Sequence, residues 1–184
     1  TVEYDGYGRV AAEADLRPNG ETLRRQRYSY DAAGNLTEST NALSDTTTYA
    51  YDALNRLTRQ VEPVTATESI TTSFGYDAAG ARTRYTDGRG NVTTYTYTSW
   101  GLPASVVEPS TPAYPAAADR TWTYGYDAGA NPVTVAAPGG VTRTRTYDGG
   151  GRLTRETGAG APLATAERTL GYDKADRLVR AGAS

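Results

Sequence analysis

Tyr30-Asp31-Ala32-Ala33-Gly34-Asn35-Leu36-Thr37 and Tyr51-Asp52-Ala53-Leu54-Asn55-Arg56-Leu57-Thr58 are two readings of one pattern. The first spells a three-residue hairpin loop. Asp31 opens a type I turn and accepts hydrogen bonds from the turn backbone, and Gly34 takes the left-handed position of the closing bulge. That geometry sets Tyr30 across from Leu36 and Asp31 across from Asn35. In the second copy Asn55 fills the left-handed position, and Tyr51 faces Leu57.

Working outward, the tyrosine recurs eight times, at Tyr4, Tyr30, Tyr51, Tyr76, Tyr97, Tyr126, Tyr147 and Tyr172, with spacings of 26, 21, 25, 21, 29, 21 and 25 residues. The next residue is Asp5, Asp31, Asp52, Asp77, Asp127, Asp148 or Asp173, with Thr98 as the exception. Four positions after the tyrosine stand Gly8, Gly34, Asn55, Gly80, Gly101, Ala130, Gly151 and Asp176. Gly, Asn and Asp tolerate positive φ, so only Ala130 departs. The register pairs Tyr4 with Val10, Tyr147 with Leu153 and Tyr172 with Leu178. On the other face it sets Asp5, Asp52, Asp148 and Asp173 opposite Arg9, Arg56, Arg152 and Arg177. Opposite charges across a ladder are evidence of register. Two residues before the tyrosine come Val2, Tyr28, Tyr49, Phe74, Tyr95, Tyr124, Arg145 and Leu170, all apolar or aromatic but Arg145. Stretches such as Thr93-Thr94-Tyr95-Thr96-Tyr97 alternate as a half-buried strand does.

Composition agrees. Leu, Ile, Val and Phe number 24 of 184 residues, while there are 15 tyrosines and 29 threonines, both strand formers. The expectation is an all-β chain of tandem β-hairpins with a tyrosine-rich core, a single run of about eight repeats over residues 1–184. The 21-residue repeats start at Tyr30, Tyr76 and Tyr126. The longer ones hold the punctuated tracts from Pro63 to Ser69, Pro103 to Ala118 and Gly158 to Pro162, which predicts that every second repeat returns through a longer loop. The start at Thr1 and a pattern still running at Leu178 suggest a piece of something longer.

With no His, Cys or Met, the chain has no disulfides, no thiolate chemistry, no His or Cys zinc site and no histidine triad. A formal net charge of −2 gives no field for nucleic acid, and no apolar run is long enough to span a membrane. The repeated Asp residues carry oxygen donors that suit calcium, but their wide spacing and turn position favour capping and register. The tyrosine ladder reads as packing before it reads as a carbohydrate platform. Asp87-Gly88-Arg89-Gly90-Asn91 and Gly149-Gly150-Gly151 lack the Lys-Ser/Thr and helix of a phosphate loop. Asn35-Leu36-Thr37 and Asn91-Val92-Thr93 fit the glycosylation acceptor pattern. No cofactor and no catalytic residue is expected. The structural repeat positions singled out are Tyr30, Asp31, Gly34, Leu36, Tyr51, Asp52, Leu57, Tyr76, Asp77, Gly80, Tyr147, Asp148, Gly151, Leu153, Tyr172, Asp173 and Leu178.

The recurring Tyr-Asp-x-x-Gly-[Asn/Arg]-Leu-Thr, plainest at Tyr30–Thr37 and Tyr51–Thr58, resembles the YD repeat of RHS proteins from Tyr4 to Val179. These include bacterial polymorphic toxins, Tc toxin shell components, wall-associated proteins and teneurins. The resemblance implies a strip of a β-sheet that spirals into a hollow shell or barrel. It further implies a secreted or cell-surface setting, bacterial before eukaryotic. The partners would be the remainder of the shell and an enclosed C-terminal toxin or effector, with a delivery apparatus or receptor beyond them. The alternative is an adhesion module recognising a receptor or carbohydrate. Toxin-type members end in an Asp-Pro motif that is absent here.

Overall fold

The computed structural model describes residues 1–160 and 166–183. It is all-β, with a short 3₁₀ turn at Ala117–Arg120 and another at Pro138–Gly140. The chain divides into two compact units, Thr1–Tyr76 with Arg84–Asn91, and Asp77–Thr83 with Val92–Ser184.

In the first unit seven strands lie side by side in sequence order: β1 (Val2–Tyr4), β2 (Val10–Leu16), β3 (Thr22–Tyr30), β4 (Leu36–Thr40), β5 (Thr46–Tyr51), β6 (Leu57–Pro63) and β7 (Ser69–Tyr76). β8 (Arg82–Thr86) follows in the chain. The second unit repeats the arrangement with β9 (Val92–Tyr97), β10 (Pro103–Val107), β11 (Thr121–Tyr126), β12 (Pro132–Ala136), β13 (Thr142–Tyr147), β14 (Leu153–Ala159), β15 (Arg168–Tyr172) and β16 (Leu178–Ala183). All these pairings are antiparallel, as a chain of short hairpins requires.

Two registers organise each unit. Within a repeat, the tyrosine faces the residue six positions on: Tyr4 and Val10, Tyr30 and Leu36, Tyr51 and Leu57, Tyr97 and Pro103, Tyr126 and Pro132, Tyr147 and Leu153, Tyr172 and Leu178. The next pair joins the residue before the tyrosine to the one eight positions after it, so a second bulge sits at the seventh position in all seven hairpins. At that bulge Thr58 and Thr154 turn their hydroxyls onto the Ala50 and Thr146 carbonyls, at 3.1 and 3.0 Å.

Between repeats, the eighth residue after one tyrosine faces the third residue before the next. The pairs are Ala12 and Arg27, Glu38 and Thr48, Arg59 and Ser73, Ser105 and Thr123, Thr134 and Thr144, and Arg155 and Thr169. This join is the same for spacings from 21 to 29 residues. Since residues directly opposite in a ladder share a face, the two registers place the repeat tyrosines of each unit, and the residues two before them, on one side of the sheet.

The structure departs from the expected tyrosine-rich core. Among the described residues only Ala12 is buried, at 4% exposure, and no side chain is fully enclosed. Seven of the repeat tyrosines are half-buried and Tyr4 is exposed. Each unit is a sheet whose faces are covered by neighbouring side chains along the ladder. The low count of aliphatic residues already contained this answer, because 24 of them cannot fill a second layer.

The expected long loops are also redistributed. In the repeats beginning at Tyr4 and Tyr51 the extra residues lengthen strands. β2 and β3 have 7 and 9 residues, and β6 and β7 have 7 and 8, against 5 and 6 in β4 and β5. Pro63 closes β6 and Pro103 opens β10, so among the described residues the long loop is 108–120. Gly158 belongs to β14, and Pro162 lies outside the described residues.

Candidate functional site

The chain's most repeated chemistry is at the Tyr-Asp turns. In each, the Asp backbone N–H donates to the carbonyl four residues on, and the N–H of the third residue donates back to the Asp carbonyl. Asp31 makes these with Asn35 and Gly34 at 2.9 and 3.1 Å, and Asp77 with Ala81 and Gly80 at 2.9 and 3.1 Å. The residue closing the turn has positive φ in all eight copies: Gly8, Gly34, Asn55, Gly80, Gly101, Ala130, Gly151 and Asp176. Ala130, at φ +62°, adopts the conformation its sequence disfavours, because the ladders on both sides impose it.

The aspartate oxygens are turned onto their own loops. One oxygen of Asp5, Asp31, Asp52, Asp77, Asp127, Asp148 and Asp173 accepts the backbone N–H of Arg9, Asn35, Arg56, Ala81, Asn131, Arg152 and Arg177, at 2.8–3.0 Å. Thr98 Oγ1 substitutes at 3.1 Å from Leu102 N. The second oxygen takes the opposing side chain, as in Arg9 Nε to Asp5 at 2.7 Å and Asn35 Nδ2 to Asp31 at 2.9 Å. Hydrogen bonds to the charged form lower a carboxyl's pKa. The backbone N–H groups of Arg9, Arg56 and Arg177 chiefly hold Asp5, Asp52 and Asp173 below the ordinary carboxylate range. For Asp31, Asp127 and Asp148 the side chains of Asn35, Asn131 and Arg152 come first. These carboxylates hold turns, and no group of three acidic side chains placed to hold a metal occurs among the described residues.

Successive repeats are also stitched together by contacts the sequence did not announce. Tyr30, Tyr76, Tyr97, Tyr147 and Tyr172 donate their phenol O–H to the carbonyls of Val10, Leu57, Arg82, Pro132 and Leu153, at 2.8–3.0 Å. Each acceptor lies six residues after the preceding repeat's tyrosine. The residue before that acceptor completes the seam. The guanidinium carbons of Arg9, Arg56 and Arg152 stack 4.6, 4.7 and 5.0 Å from the ring centres of Tyr30, Tyr76 and Tyr172. Asn35 Nδ2 reaches Asn55 Oδ1 at 2.8 Å, and Arg152 bonds Asp176. The signal for this seam was the fixed offset of five between Tyr and Arg or Asn, which the sequence showed only as a pairing within one hairpin.

Arg145, the odd residue on the tyrosine face, meets Glu156 directly across the ladder at 3.0 Å. Phe74 and Tyr85 hold the same two positions in their repeat, with ring centres 5.7 Å apart. An ion pair thus replaces an aromatic pair. The Arg145 side chain foremost holds the Glu156 carboxyl below its ordinary value.

The far turns copy the same device. Arg17–Glu21, Asn41–Asp45 and Asp87–Asn91 close with the identical pair of backbone hydrogen bonds, and Gly20, Ser44 and Gly90 take positive φ. Asp87–Gly90 is therefore a hairpin turn. Asn91 Nδ2 donates to Asp87 at 2.8 Å, so that acceptor amide, like the one on Asn35, is engaged.

Two concavities lie in the second unit. A groove of about 430 Å³ on the tyrosine face is lined by Tyr95, Tyr97, Val106, Tyr124 and Tyr126, with Pro103 and Ser105. A cleft of about 620 Å³ lies at loop 108–120, between Glu108, Tyr114, Asp119 and Arg120 on one side and Pro138 and Gly139 on the other. That loop is braced by Arg120, which bonds the Glu108 carbonyl and, at 3.3 Å, the Pro115 carbonyl. Trp122 Nε1 donates to Glu108 Oε1 at 3.1 Å.

Residues 30–67 and 76–113 match the RHS Repeat family. Among solved structures, the chain is similar to TcdB2-TccC3 at TM-score 0.70, and to TcdB2-TccC3 without its hypervariable C-terminal region at 0.71. Both share 18% identity, over 99% of this chain and 11% of theirs. A Tc holotoxin pore of Photorhabdus luminescens matches at TM-score 0.68 and 18% identity, over 96% of this chain and 10% of that one. At this identity the likeness is one of fold, and the chain spans about a tenth of each of those chains. No curated protein matches. The two matched segments are similar to the RHS repeat, and the Tyr-Asp hairpin they contain recurs from Tyr4 to Leu178.

Proposed function

We propose that this chain is a length of structural wall in an RHS-type shell that encloses a polypeptide cargo C-terminal to it. The observation that carries the reading is the constant join between repeats, which among the described residues builds sheet without a singular chemical site. Every repeated carboxylate is committed to its own turn, which supports a role without catalysis and without a cofactor. The wall separates a partly folded or toxic chain from its surroundings until delivery. The tyrosine face, with its groove at Tyr95 and Tyr124, offers half-covered aromatic surface of the kind that holds unfolded chain weakly. The fold likeness to TcdB2-TccC3 supports the same reading, together with a secreted setting and a delivery apparatus as partner.

Cryo-electron microscopy of the full-length protein tests it. A hollow shell with internal density, whose contents resist protease until the wall is opened, is the expected result. A solid rod with no internal density would refute containment.

The braced loop 108–120 and its cleft favour a second reading, surface recognition of a receptor or carbohydrate. Deleting 109–116 while keeping Glu108 and Arg120 should abolish binding to cells or glycans if that reading holds, and leave cargo protection intact if containment holds.

A further inference from the structure

The clasp made at five joins between repeats is missing where β10 meets β11. The tyrosine of that join is Tyr126, and the carbonyl it would reach is that of Pro103, six residues after Tyr97. Among the described residues the Tyr126 O–H, like that of Tyr51, has no hydrogen-bond partner. The position that elsewhere sends Arg9, Arg56 or Arg152 onto the following ring holds Leu102. The groove of about 430 Å³ opens at this join.

Its walls and floor follow from the register. Tyr97 faces Pro103 and Tyr95 faces Val106 on one side of β10. Val106 faces Trp122 on the other side, so Tyr124 and Tyr126, alternate residues on β11, stand on the same face. Pro103 and Val106 thus form a low floor between two pairs of rings. One wall is fixed. Tyr97 O–H donates to the Arg82 carbonyl at 2.8 Å, and the Arg82 guanidinium carbon lies 5.1 Å from the Tyr95 ring centre. On the other wall, among the described residues, Tyr124 and Tyr126 leave both phenol O–H groups unengaged.

We infer that this groove binds an extended proline-rich peptide. Complementarity of charge and hydrogen bonding selects that occupant. The chain carries 19 basic and 21 acidic residues, yet none lines the groove, so a charged ligand finds no counter-ion there. β10 is laddered on both sides, so the floor offers no free backbone to an added strand. The walls present phenol donors, and no carboxylate or amide acceptor lines the groove. A ligand rich in N–H groups or sugar hydroxyls would bury donors without acceptors, which weakens binding. A proline-rich chain carries carbonyl acceptors and no N–H to satisfy. Its preformed polyproline II shape sets its rings between aromatic side chains. The inference rests on the reading of the tyrosine face as a surface that holds unfolded chain, and narrows it to one kind of chain. Its test is separate, because a solid rod in microscopy would refute containment and leave this binding as it stands.

Fluorescence anisotropy tests it, with the intact chain titrated into a labelled, capped hexaproline. Saturable binding is the expected result. A capped hexapeptide of alternating glycine and serine carries an N–H at every residue and should bind about tenfold more weakly. Tyr126→Phe removes one donor and should weaken hexaproline binding about fivefold. Since that hydroxyl has no partner to lose in the free protein, the urea midpoint of Tyr126→Phe should match the wild type. Tyr76→Phe removes a clasped phenol outside the groove and should leave binding unchanged. No binding at millimolar protein would overturn the proposal. So would equal binding of the glycine–serine peptide, tighter binding of cellohexaose, or equal effects of Tyr126→Phe and Tyr76→Phe. A lowered urea midpoint for Tyr126→Phe would overturn it as well, and so would concentration-dependent self-association that Tyr126→Phe abolishes.

Discussion

At the scale of the residue, the turn tolerates one substitution that its own chemistry resists. Ala130 sits at φ +62° where other repeats use Gly, Asn or Asp. Left-handed backbone costs an L-residue about 1–2 kcal/mol, and glycine returns part of that gain as unfolded-state entropy. Ala130→Gly should therefore stabilise the protein by about 0.5–1 kcal/mol, read as a higher midpoint in urea. Gly34→Val, at φ +91°, should do the reverse by about 1–2 kcal/mol. Identical midpoints for both would mean the turns do not control stability. This level was largely legible in the sequence, because a turn is a local object. Asp31, Gly34 and Leu36 lie within one short hairpin, and spacing alone places them. What sequence could not reveal was that Ala130 would comply, since the force that bends it comes from strands outside the motif.

At the scale of the element, the tyrosine is both a cross-strand partner and a clasp on the previous repeat. Tyr76→Phe deletes only the bond to the Leu57 carbonyl and should cost about 1 kcal/mol. A fully buried ring would make Tyr51→Ala worth on the order of 3 kcal/mol. Tyr51 is half-buried, and the expected loss falls to about 1.5 kcal/mol. Thermal unfolding of the pair checks both, and a Tyr51→Ala loss near 3 kcal/mol would contradict the open, coreless packing. Here the sequence was half legible. Tyr30 opposite Leu36 follows from the loop. Tyr30 on Val10 does not, because the far turn and two strand lengths stand between them and vary from repeat to repeat. The threonine bulge at Thr58 and Thr154 was equally hidden, since alternation looks the same on both sides of a single inserted residue.

At the scale of the whole molecule, charge enters as a sum over turns. The carboxyls of Asp5, Asp31, Asp52, Asp127, Asp148 and Asp173 are all held lower in the folded chain than in the unfolded one. A group shifted down contributes stability that is complete above its unfolded value, about pH 3.9, and is lost as pH falls through the folded value. Stability should thus be flat from neutral pH to about pH 5, then fall steeply below about pH 4. Replacing Asp31 and Asp127 with Asn should flatten that fall. Urea midpoints across the acid range measure it, and a loss centred near neutrality would point to other groups.

The constancy of the join between repeats has one more consequence. Glu38 meets Thr48 across a five-residue turn and Ser105 meets Thr123 across thirteen intervening loop residues, yet both pairs hold the same offsets from their tyrosines. Chain can therefore be spliced into the rim opposite the Tyr-Asp turns without moving any strand's address. A single residue lost between Tyr97 and Ser105 would instead turn the strand's remaining side chains inside out. Evolution has a free margin on one rim and a fixed grammar on the other.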